Sequence, residues 1–260
     1  MKWVKYIAAT LIILLLIVAS LYRYFLYSPA INQPALAGEL KHHTIVIDGR
    51  QRTFSWYLPR NTQSHPPLIF ALHGSVSNGF QIREGFAYEL DVLAEQHGFI
   101  VVYPNGYKNH WNDCRGSANY AANVEDINDV DFFAAMIDYF VTQNNINRSH
   151  VFVTGLSNGG HMVYKLALEA PGLFAGFAPI AANLPAASNL DCSPVNKAVS
   201  IAVFNGTHDP INPYDGGLVE LFGDVSRGEV RSTKNTMQYW LDVAKITSAP
   251  VNKQFSERDG

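Results

Sequence analysis

The stretch Val-Phe-Val-Thr-Gly-Leu-Ser-Asn-Gly-Gly, residues 151–160, decides the fold of this chain. Its first residues are apolar and β-branched, which is typical of a buried strand. Gly155-Leu-Ser-Asn-Gly159 follows without a break, and residues 161–169 have the apolar spacing of a helix. The sequence therefore predicts a strand, a tight turn and a helix, with Ser157 at the apex of the turn.

Such a turn is typical of a nucleophile elbow, which presents a serine hydroxyl above the edge of a sheet. Glycines are expected at Gly155 and Gly159 because strand and helix backbones pass too close to the serine for β-carbons there. A glycine-rich turn with an incidental serine is the alternative. We favour the elbow because the strand and the helix both flank the motif.

Strands and helices alternate on both sides of this turn. Short apolar runs at 68–72, 99–103, 174–180 and 199–204 predict strands of a parallel sheet, and 44–47 with 52–59 predict a hairpin around Asp48-Gly49. Helices are predicted for residues 86–97, from Asp129 onward, and for 231–244. This alternation predicts one α/β domain with a mostly parallel sheet.

The first thirty residues have a different character. Lys2 and Lys5 precede an apolar run from Tyr6 to Tyr22, which reaches about the lower limit for crossing a bilayer. Positive residues before the run predict that the N-terminus stays inside and the domain lies outside. We favour an uncleaved signal anchor, although the pattern Ala35-Leu-Ala37 keeps a cleaved signal peptide open.

The predicted organisation is therefore a signal segment over residues 1–27, a Pro/Ala linker over 28–41 and a folded domain over 42–260. We expect an exported protein, secreted, periplasmic or anchored to the outer face of a membrane through its N-terminal segment. Export would permit a disulfide between Cys114 and Cys192, and two free buried thiols are the equally open alternative.

The net charge of -3 and the lack of a basic run beyond the N-terminus give no sign of a nucleic-acid partner. No cofactor or metal is predicted. Ligands of parallel sheets bind at the carboxyl ends of the strands, where Ser75, Ser157 and Asp209 are expected. Ester hydrolysis by serine requires a nucleophile, a base, an acid that orients the base, and an oxyanion hole.

Ser157 is the candidate nucleophile, and the backbone N–H groups of Asn158 and Ser75 are the candidate oxyanion donors. Asp209 is the candidate acid because it follows a strand that comes after the elbow. A turn-forming aspartate before Pro210 is the alternative for Asp209, and Asp215 is a weaker competitor.

The base is harder to find, because the expected order requires a histidine after Asp209 and none of the nine histidines follows it. His208 adjoins the acid too closely to be oriented by it. His161 lies one helical turn beyond Ser157, where its side chain should run along the helix. His73 is expected to shape its loop rather than to take part in the chemistry.

The chain resembles the polyhydroxybutyrate depolymerase and feruloyl/acetyl-xylan esterase group of α/β-hydrolases over residues 42–245. The matching stretches are Asp48-Gly-Arg-Gln-Arg52, Tyr57-Leu-Pro59, Leu72-His-Gly74, Tyr103-Pro-Asn-Gly106, Trp111-Asn-Asp113, Asp129-Val-Asp-Phe132, Gly155-Leu-Ser-Asn-Gly-Gly160 and Asn205-Gly-Thr-His-Asp-Pro-Ile-Asn-Pro-Tyr-Asp-Gly-Gly217.

The resemblance implies an α/β-hydrolase fold with helices on both faces of the sheet, with Ser157 and Asp209 as nucleophile and acid. It also implies that Trp111 lines the substrate cleft, with plain packing as the alternative. The family's base lies in a Gly-Gly-His-like loop after the helix of Trp240. Because the sequence ends before such a loop, we expect it to lack the last strand and helix of the fold.

Three functions remain open. The first is an exported serine esterase that acts on a small or polymeric ester through an acyl-enzyme. The second is a catalytically impaired, membrane-tethered binding protein on the same scaffold, which the missing histidine favours. The third is a serine peptidase.

Overall fold

The computed structural model describes residues 2–25 and 31–255. The chain divides into two compact units, Met1–Gln33 and Pro34–Gly260. The first contains one helix, α1 (Lys2–Phe25). Among the residues that the structure describes, no helix combines the length and apolarity needed to cross a membrane. The end of the predicted signal segment and residues 28–30 of the predicted linker lie outside the described residues.

Strands and helices alternate through the second unit. They are β1 (Glu39–Ile47), β2 (Arg50–Leu58), β3 (Leu68–Leu72), α2 (Gly79–Gly85), α3 (Glu89–His97), β4 (Ile100–Pro104), α4 (Ala121–Val124), α5 (Asp129–Asn144), β5 (Val151–Leu156), α6 (Asn158–Glu169), β6 (Gly176–Ile180), β7 (Gly217–Leu218), β8 (Glu229–Val230) and α7 (Thr233–Val243).

Six strands form one sheet in the order β1-β2-β4-β3-β5-β6. The pairs β1–β2 and β2–β4 are antiparallel, whereas β4, β3, β5 and β6 run parallel to one another. Helices cover both faces: Phe70 of β3 packs in one core with Phe133 of α5 and Met162 of α6. Ala71, on the opposite face, packs in a second core with Ile82 of α2. The predicted α/β fold is therefore confirmed.

The first hairpin turns where the sequence predicts it. Asp48 and Gly49 both have positive φ, 49° and 73°, as a two-residue hairpin turn requires. The strand β1 is longer than predicted, and the backbone N–H of Gly38 donates to the Tyr57 hydroxyl at 2.8 Å and to Glu95 at 2.6 Å. The folded unit thus includes residues that we assigned to the linker 28–41, because they pair with β2.

The helix predicted for residues 86–97 is shorter than expected. Ala87 and Tyr88 have φ of 52° and 60°, which no α-helix accommodates, so α3 begins at Glu89. The Tyr88 ring is buried, and the Arg83 guanidinium lies 4.8 Å from its centre. Gly98 ends the helix with a positive φ of 73°, as predicted from the sequence.

The prediction of a regular strand over residues 199–204 is wrong. The segment lies beside β6, but only two isolated parallel bridges form, Phe177 with Ile201 and Ile180 with Phe204. Pro179 lies in β6 between these bridges and has no N–H to donate. The ladder is interrupted there, while the N–H of Phe204 still donates to the Pro179 carbonyl at 3.1 Å.

Candidate active site

Ser157 occupies the strained apex that the sequence predicts. Its φ of 54° and ψ of -115° lie outside the regions that ordinary residues adopt, and it is the N-cap of α6. Backbone strain of this kind costs about 1–3 kcal/mol and concentrates at functional sites. The Ser157 N–H donates to the Ile180 carbonyl at 2.9 Å, which fixes the turn against the end of β6.

The two glycines beside the serine are needed for close approach. A β-carbon on Gly159 would lie 2.5 Å from the Leu72 carbonyl oxygen and 2.6 Å from that of His73. One on Gly155 would lie 2.5 Å from the Gly159 carbonyl. Real side chains do not tolerate such distances. The helix therefore starts directly against the end of β3, and this packing positions Ser157.

Two backbone N–H groups are available as oxyanion donors. Asn158 is the first residue of α6, where an N–H has no acceptor within the helix. Among the described residues, no group accepts a hydrogen bond from the Ser75 N–H. The loop of Ser75 runs beside the nucleophile, since a β-carbon on Gly74 would lie 3.5 Å from that of Ser157.

His73 shapes this loop. Its Nε2 accepts from the Gly106 N–H at 2.9 Å, and its Nδ1 lies 2.7 Å from the Gly74 carbonyl, which can only accept. These partners assign a neutral ring with the proton on Nδ1. Burial lowers the pKa of His73 from 6.5 to about 4, which keeps the ring neutral at physiological pH. With both nitrogens occupied, His73 has no free nitrogen to act as a base.

A cavity of about 310 Å³ adjoins the nucleophile. Its wall combines apolar side chains with the two serines of the predicted site, Ser75 and Ser157. The apolar side chains are Ile82, Phe86, Leu156, Ile211, Val219 and Leu221. Such a concave, largely apolar space with a few polar groups is typical of a small-molecule site. Arg227 also lines it, and nothing in its sequence neighbourhood indicates this role.

Asp209 lies in the loop that carries Ile211 to this cavity. Its Oδ1 accepts from the backbone N–H groups of Ile211 and Asn212, at 2.8 and 2.9 Å. Its Oδ2 has no hydrogen-bond partner among the described residues. The carboxylate is thus held in a turn, as the alternative interpretation requires, while one oxygen remains for another group. Asp215 is exposed and lines a different cavity.

Among the described residues, which include all nine histidines, no histidine ring hydrogen-bonds to Ser157 or Asp209; only the backbone N–H of His161 donates to the Ser157 carbonyl, at 2.9 Å. His208 is exposed and its Nδ1 lies 3.1 Å from the hydroxyl of Thr207. His161 is buried, and its Nε2 lies 3.1 Å from Oδ1 of Asn212. In the described part of the chain no group of three His, Cys, Asp or Glu residues is arranged to hold a metal.

Comparison with known proteins identifies the family. Residues 46–231 match the Esterase family model, whose description is "Putative esterase". The chain belongs to this esterase family. The match covers the elbow, the loop of Ser75 and the loop of Asp209, so the resemblance inferred from those motifs is confirmed.

Among its relatives, this esterase-family chain is 33% identical to acetylxylan esterase A of Talaromyces purpureogenus over 56% of its own length and 37% of that protein. It is 25% identical to "Putative esterase NocK" of Nocardia uniformis subsp. tsuyamanensis over 73% of its own length and 54% of that protein. The chain thus spans about half or less of the length of these relatives.

Solved structures support the fold of this esterase-family chain. It superposes on native sOPH with a TM-score of 0.55 and 18% identity, covering 82% of this chain and 77% of that one. A thermostable esterase gives a TM-score of 0.52 and 18% identity, over 80% and 52% of the two chains. The α/β-hydrolase fold expected from the sequence is therefore confirmed.

Trp111 does not line the cleft of this esterase-family chain. It is fully buried, and its Nε1 donates to the His73 carbonyl at 2.9 Å. Its backbone N–H donates to Oδ1 of Asn158 at 2.8 Å, and its ring packs 5.6 Å from that of Phe133. The structure corrects the substrate-binding assignment: Trp111 braces the loop of His73 against the start of α6.

The side chain of Asn158 is part of a buried polar network that sequence reasoning missed. Its Nδ2 donates to Asp113 at 2.6 Å, and the Tyr120 hydroxyl donates to the same carboxylate oxygen at 2.6 Å. Burial alone would raise the pKa of Asp113, but the Arg115 guanidinium at 2.6 Å overrides it and the pKa falls to about 2. The carboxylate is therefore charged, and it fixes the residue that follows the nucleophile.

A disulfide joins Cys114 to Cys192, with 5.0 Å between their Cα atoms. It ties the loop that carries Trp111 and Asp113 to the segment after β6. The backbone N–H of Asp191 also donates to the Cys114 carbonyl, at 3.2 Å. The covalent link thus supports the network under the elbow from its outer side.

Proposed function

We propose that this chain is an exported serine carboxylic-ester hydrolase that works through an acyl-enzyme on Ser157. The observation that carries the proposal is the positive-φ serine at a strand-to-helix turn, facing an apolar cavity. The Ser157 Oγ attacks the ester carbonyl, the N–H groups of Asn158 and Ser75 stabilise the oxyanion, and the alcohol leaves. Water then cleaves the acyl-serine ester and releases the acid.

The proton of Ser157 must pass to a base during the attack. The proposal requires an imidazole other than those of the nine histidines as they are positioned, because no histidine ring in the described residues hydrogen-bonds to the serine. This same observation favours the second candidate function, a catalytically impaired binding protein on a hydrolase scaffold. Loss of a triad member still leaves about 10³–10⁴-fold catalysis over water, so slow turnover alone does not separate the two.

Covalent labelling of Ser157 distinguishes them. The protein is incubated with a fluorophosphonate, with and without added imidazole, and the modified peptide is identified by mass spectrometry. Labelling confined to Ser157, faster with imidazole and absent in Ser157→Ala, supports the esterase. A Ser157 that stays unlabelled under both conditions, in a protein that melts cooperatively, overturns the esterase and supports the binding protein.

The proposed substrates are acyl groups on plant polysaccharide or hydroxyalkanoate oligomers. Relatives that are named acetylxylan esterases support the first class. Release of acetate from acetylated xylan, of ferulate from methyl ferulate and of hydroxy acid from the oligomers ranks these substrates. A peptidase would instead cleave a p-nitroanilide peptide, which an esterase leaves intact.

Export of the chain is supported by the lysines and apolar run at its N-terminus, and by the disulfide, which persists in oxidising compartments. Proteinase treatment of cells with an opened outer envelope and an intact inner membrane, together with analysis of the medium, tests this proposal. Digestion of the domain in these cells, or its presence in the medium, supports export, and full protection until the inner membrane is lysed contradicts it.

A further inference from the structure

Arg227 brings a single positive charge to the cavity of the nucleophile. It lines the same cavity as Ser75 and Ser157, and no other side chain that the structure describes in the lining carries a charge. The residue is only 8% exposed. A guanidinium this deeply buried is costly unless its donors are satisfied, so its position calls for an explanation.

The hydrogen bonds of Arg227 leave most of its donors unused. A guanidinium has five N–H donors, and here only Nη1 has a protein acceptor in the described part of the chain, Asp224 at 2.9 Å. Nε and Nη2 have none, and they are not among the fully buried polar atoms that lack a partner. These nitrogens are therefore not fully enclosed, and they belong to a side chain that lines the cavity.

Asp224 does not cancel this charge within the cavity. Its side chain is 47% exposed, and it does not line the cavity. An ion pair with so exposed a carboxylate is weak, because water screens it. The other described wall residues are apolar or uncharged, so Arg227 is the one charged side chain among them.

We propose that Arg227 determines substrate specificity by binding a carboxylate at the end of a short apolar segment of the ester. This inference deepens the proposed function and rests on it. The cavity, at about 310 Å³, is at the lower end of the usual range for small-molecule sites, so the segment is short. Planar guanidinium groups bind carboxylates in a bidentate manner. Of the two proposed substrate classes, hydroxyalkanoate oligomers end in a free carboxylate.

Matched acyl donors provide the first test. Mono-p-nitrophenyl glutarate carries a carboxylate on the acyl side, and p-nitrophenyl pentanoate is its neutral counterpart. The rate of Ser157 acylation is the p-nitrophenolate release in excess of that with Ser157→Ala, because the glutarate carboxylate also expels p-nitrophenolate without the enzyme. Mass spectrometry detects the acyl-serine directly and needs no turnover. We expect the glutarate to react about tenfold faster or more, as a charge-assisted hydrogen bond implies. Arg227→Met should abolish the preference, and Arg227→Lys should retain part of it.

Two features of the test control for structural damage. Asp224→Asn removes the competing charge but keeps an oxygen that accepts from the Ser226 N–H, at 2.9 Å in the native protein, so the preference for glutarate should rise. The preference is the ratio of the glutarate and pentanoate rates within each variant, so a general loss of activity in Arg227→Met does not affect it. Equal rates for the two esters in the native protein, or a preference that survives in Arg227→Met, would overturn the proposal while the esterase stands.

Binding to Ser157→Ala separates this proposal from the esterase itself. Calorimetry compares 3-acetoxybutanoate, which carries the carboxylate on the alcohol side, with its methyl ester, and monomethyl glutarate with dimethyl glutarate. Tighter binding of either anion, lost in Ser157→Ala/Arg227→Met, supports the carboxylate site and shows which side of the ester enters the cavity. Absence of any preference for the anions overturns it, whatever the labelling of Ser157 shows.

Discussion

Nε2 of His161 lies 3.1 Å from Oδ1 of Asn212, and this contact joins the helix after the nucleophile to the loop that carries Asp209. Asn212 in turn donates its backbone N–H to Oδ1 of Asp209 at 2.9 Å. Ser157 and Asp209, the proposed nucleophile and acid, are 52 residues apart in the sequence and are thus held by one chain of contacts. His161 is a structural connection between them rather than a base.

This connection predicts how stability depends on pH. Burial, reinforced by the nearby Arg115 charge, lowers the pKa of His161 from 6.5 to about 3. Below pH 6.5 His161 binds a proton in the unfolded chain but not in the folded one. The free energy of unfolding therefore decreases as the pH falls from 6.5 towards 3. Each unit of separation between the two pKa values corresponds to about 1.4 kcal/mol at full effect.

Urea unfolding between pH 7.5 and pH 4 measures this slope. In His161→Gln the slope should be reduced but not lost, because burial also lowers the pKa of His73, to about 4. The comparison uses slopes, so a constant loss of stability in the variant does not affect it. A variant with the full native slope would show that His161 is protonated equally in both states.

The close approach of the Gly159 backbone to the end of β3 predicts that one added methyl group lowers the stability of the protein strongly. Gly159→Ala would place a β-carbon 2.5 Å from the Leu72 carbonyl oxygen, and backbone on both sides leaves little room to adjust. We expect a loss of about 3 kcal/mol in the free energy of unfolding. Gly172→Ala is the control, since its β-carbon would meet nothing within 4 Å, and it should change stability by less than about 0.5 kcal/mol.

The local parts of this fold follow from the sequence because neighbours along the chain determine them. The elbow around Ser157 and the turn at Asp48-Gly49 depend on backbone conformations that a few adjacent residues set. The irregular segment beside β6 and the late start of α3 do not follow from neighbouring residues in this way. Pro179 interrupts a ladder with a segment distant in sequence, and Tyr88 takes a positive φ while its ring packs against Arg83.

The residues of the candidate site also fall into two groups, those determined by neighbours along the chain and those determined by packing between distant segments. The loop of Ser75 and its donor follow from the strand that precedes them. The places of Trp111 and Arg227 depend instead on packing between distant loops, which no local pattern records. The family resemblance implies a cleft wall for Trp111, but here Trp111 is fully buried under the elbow. The Trp111-Asn-Asp113 motif therefore indicates the supporting network rather than the substrate site.

The network under Asn158 predicts that the free energy of unfolding depends strongly on the charge of Asp113. Asp113→Ala would leave the buried Arg115 guanidinium without its carboxylate, and loss of one partner of a buried pair costs about 3–5 kcal/mol. Asp113→Ala/Arg115→Leu should recover part of the loss. The surface pair of Asp138 and Arg148 is the control, and Asp138→Ala should cost less than about 1 kcal/mol. Equal effects in denaturant unfolding at both pairs would contradict this.

The disulfide predicts that reduction lowers the stability of the protein. The cysteines are 78 residues apart, so their link restricts the unfolded chain considerably. Cys114→Ser/Cys192→Ser should lower the free energy of unfolding by about 2–5 kcal/mol. Dithiothreitol should have a similar effect on the native protein and none on the double variant, which serves as the control. A native protein equally stable with and without reductant would argue against the link.

The proposed role of the Ser75 N–H as an oxyanion donor predicts that two substitutions at this position have different effects on the reactivity of Ser157. Ser75→Pro removes the N–H, and loss of one such donor lowers kcat by about 10²–10³-fold. Ser75→Gly removes only the side chain, so Ser157 should react with a fluorophosphonate at close to the native rate. Labelling rates are compared at matched folding, checked by circular dichroism. Similar losses in both variants would assign the effect to the hydroxyl and require another N–H as the second donor.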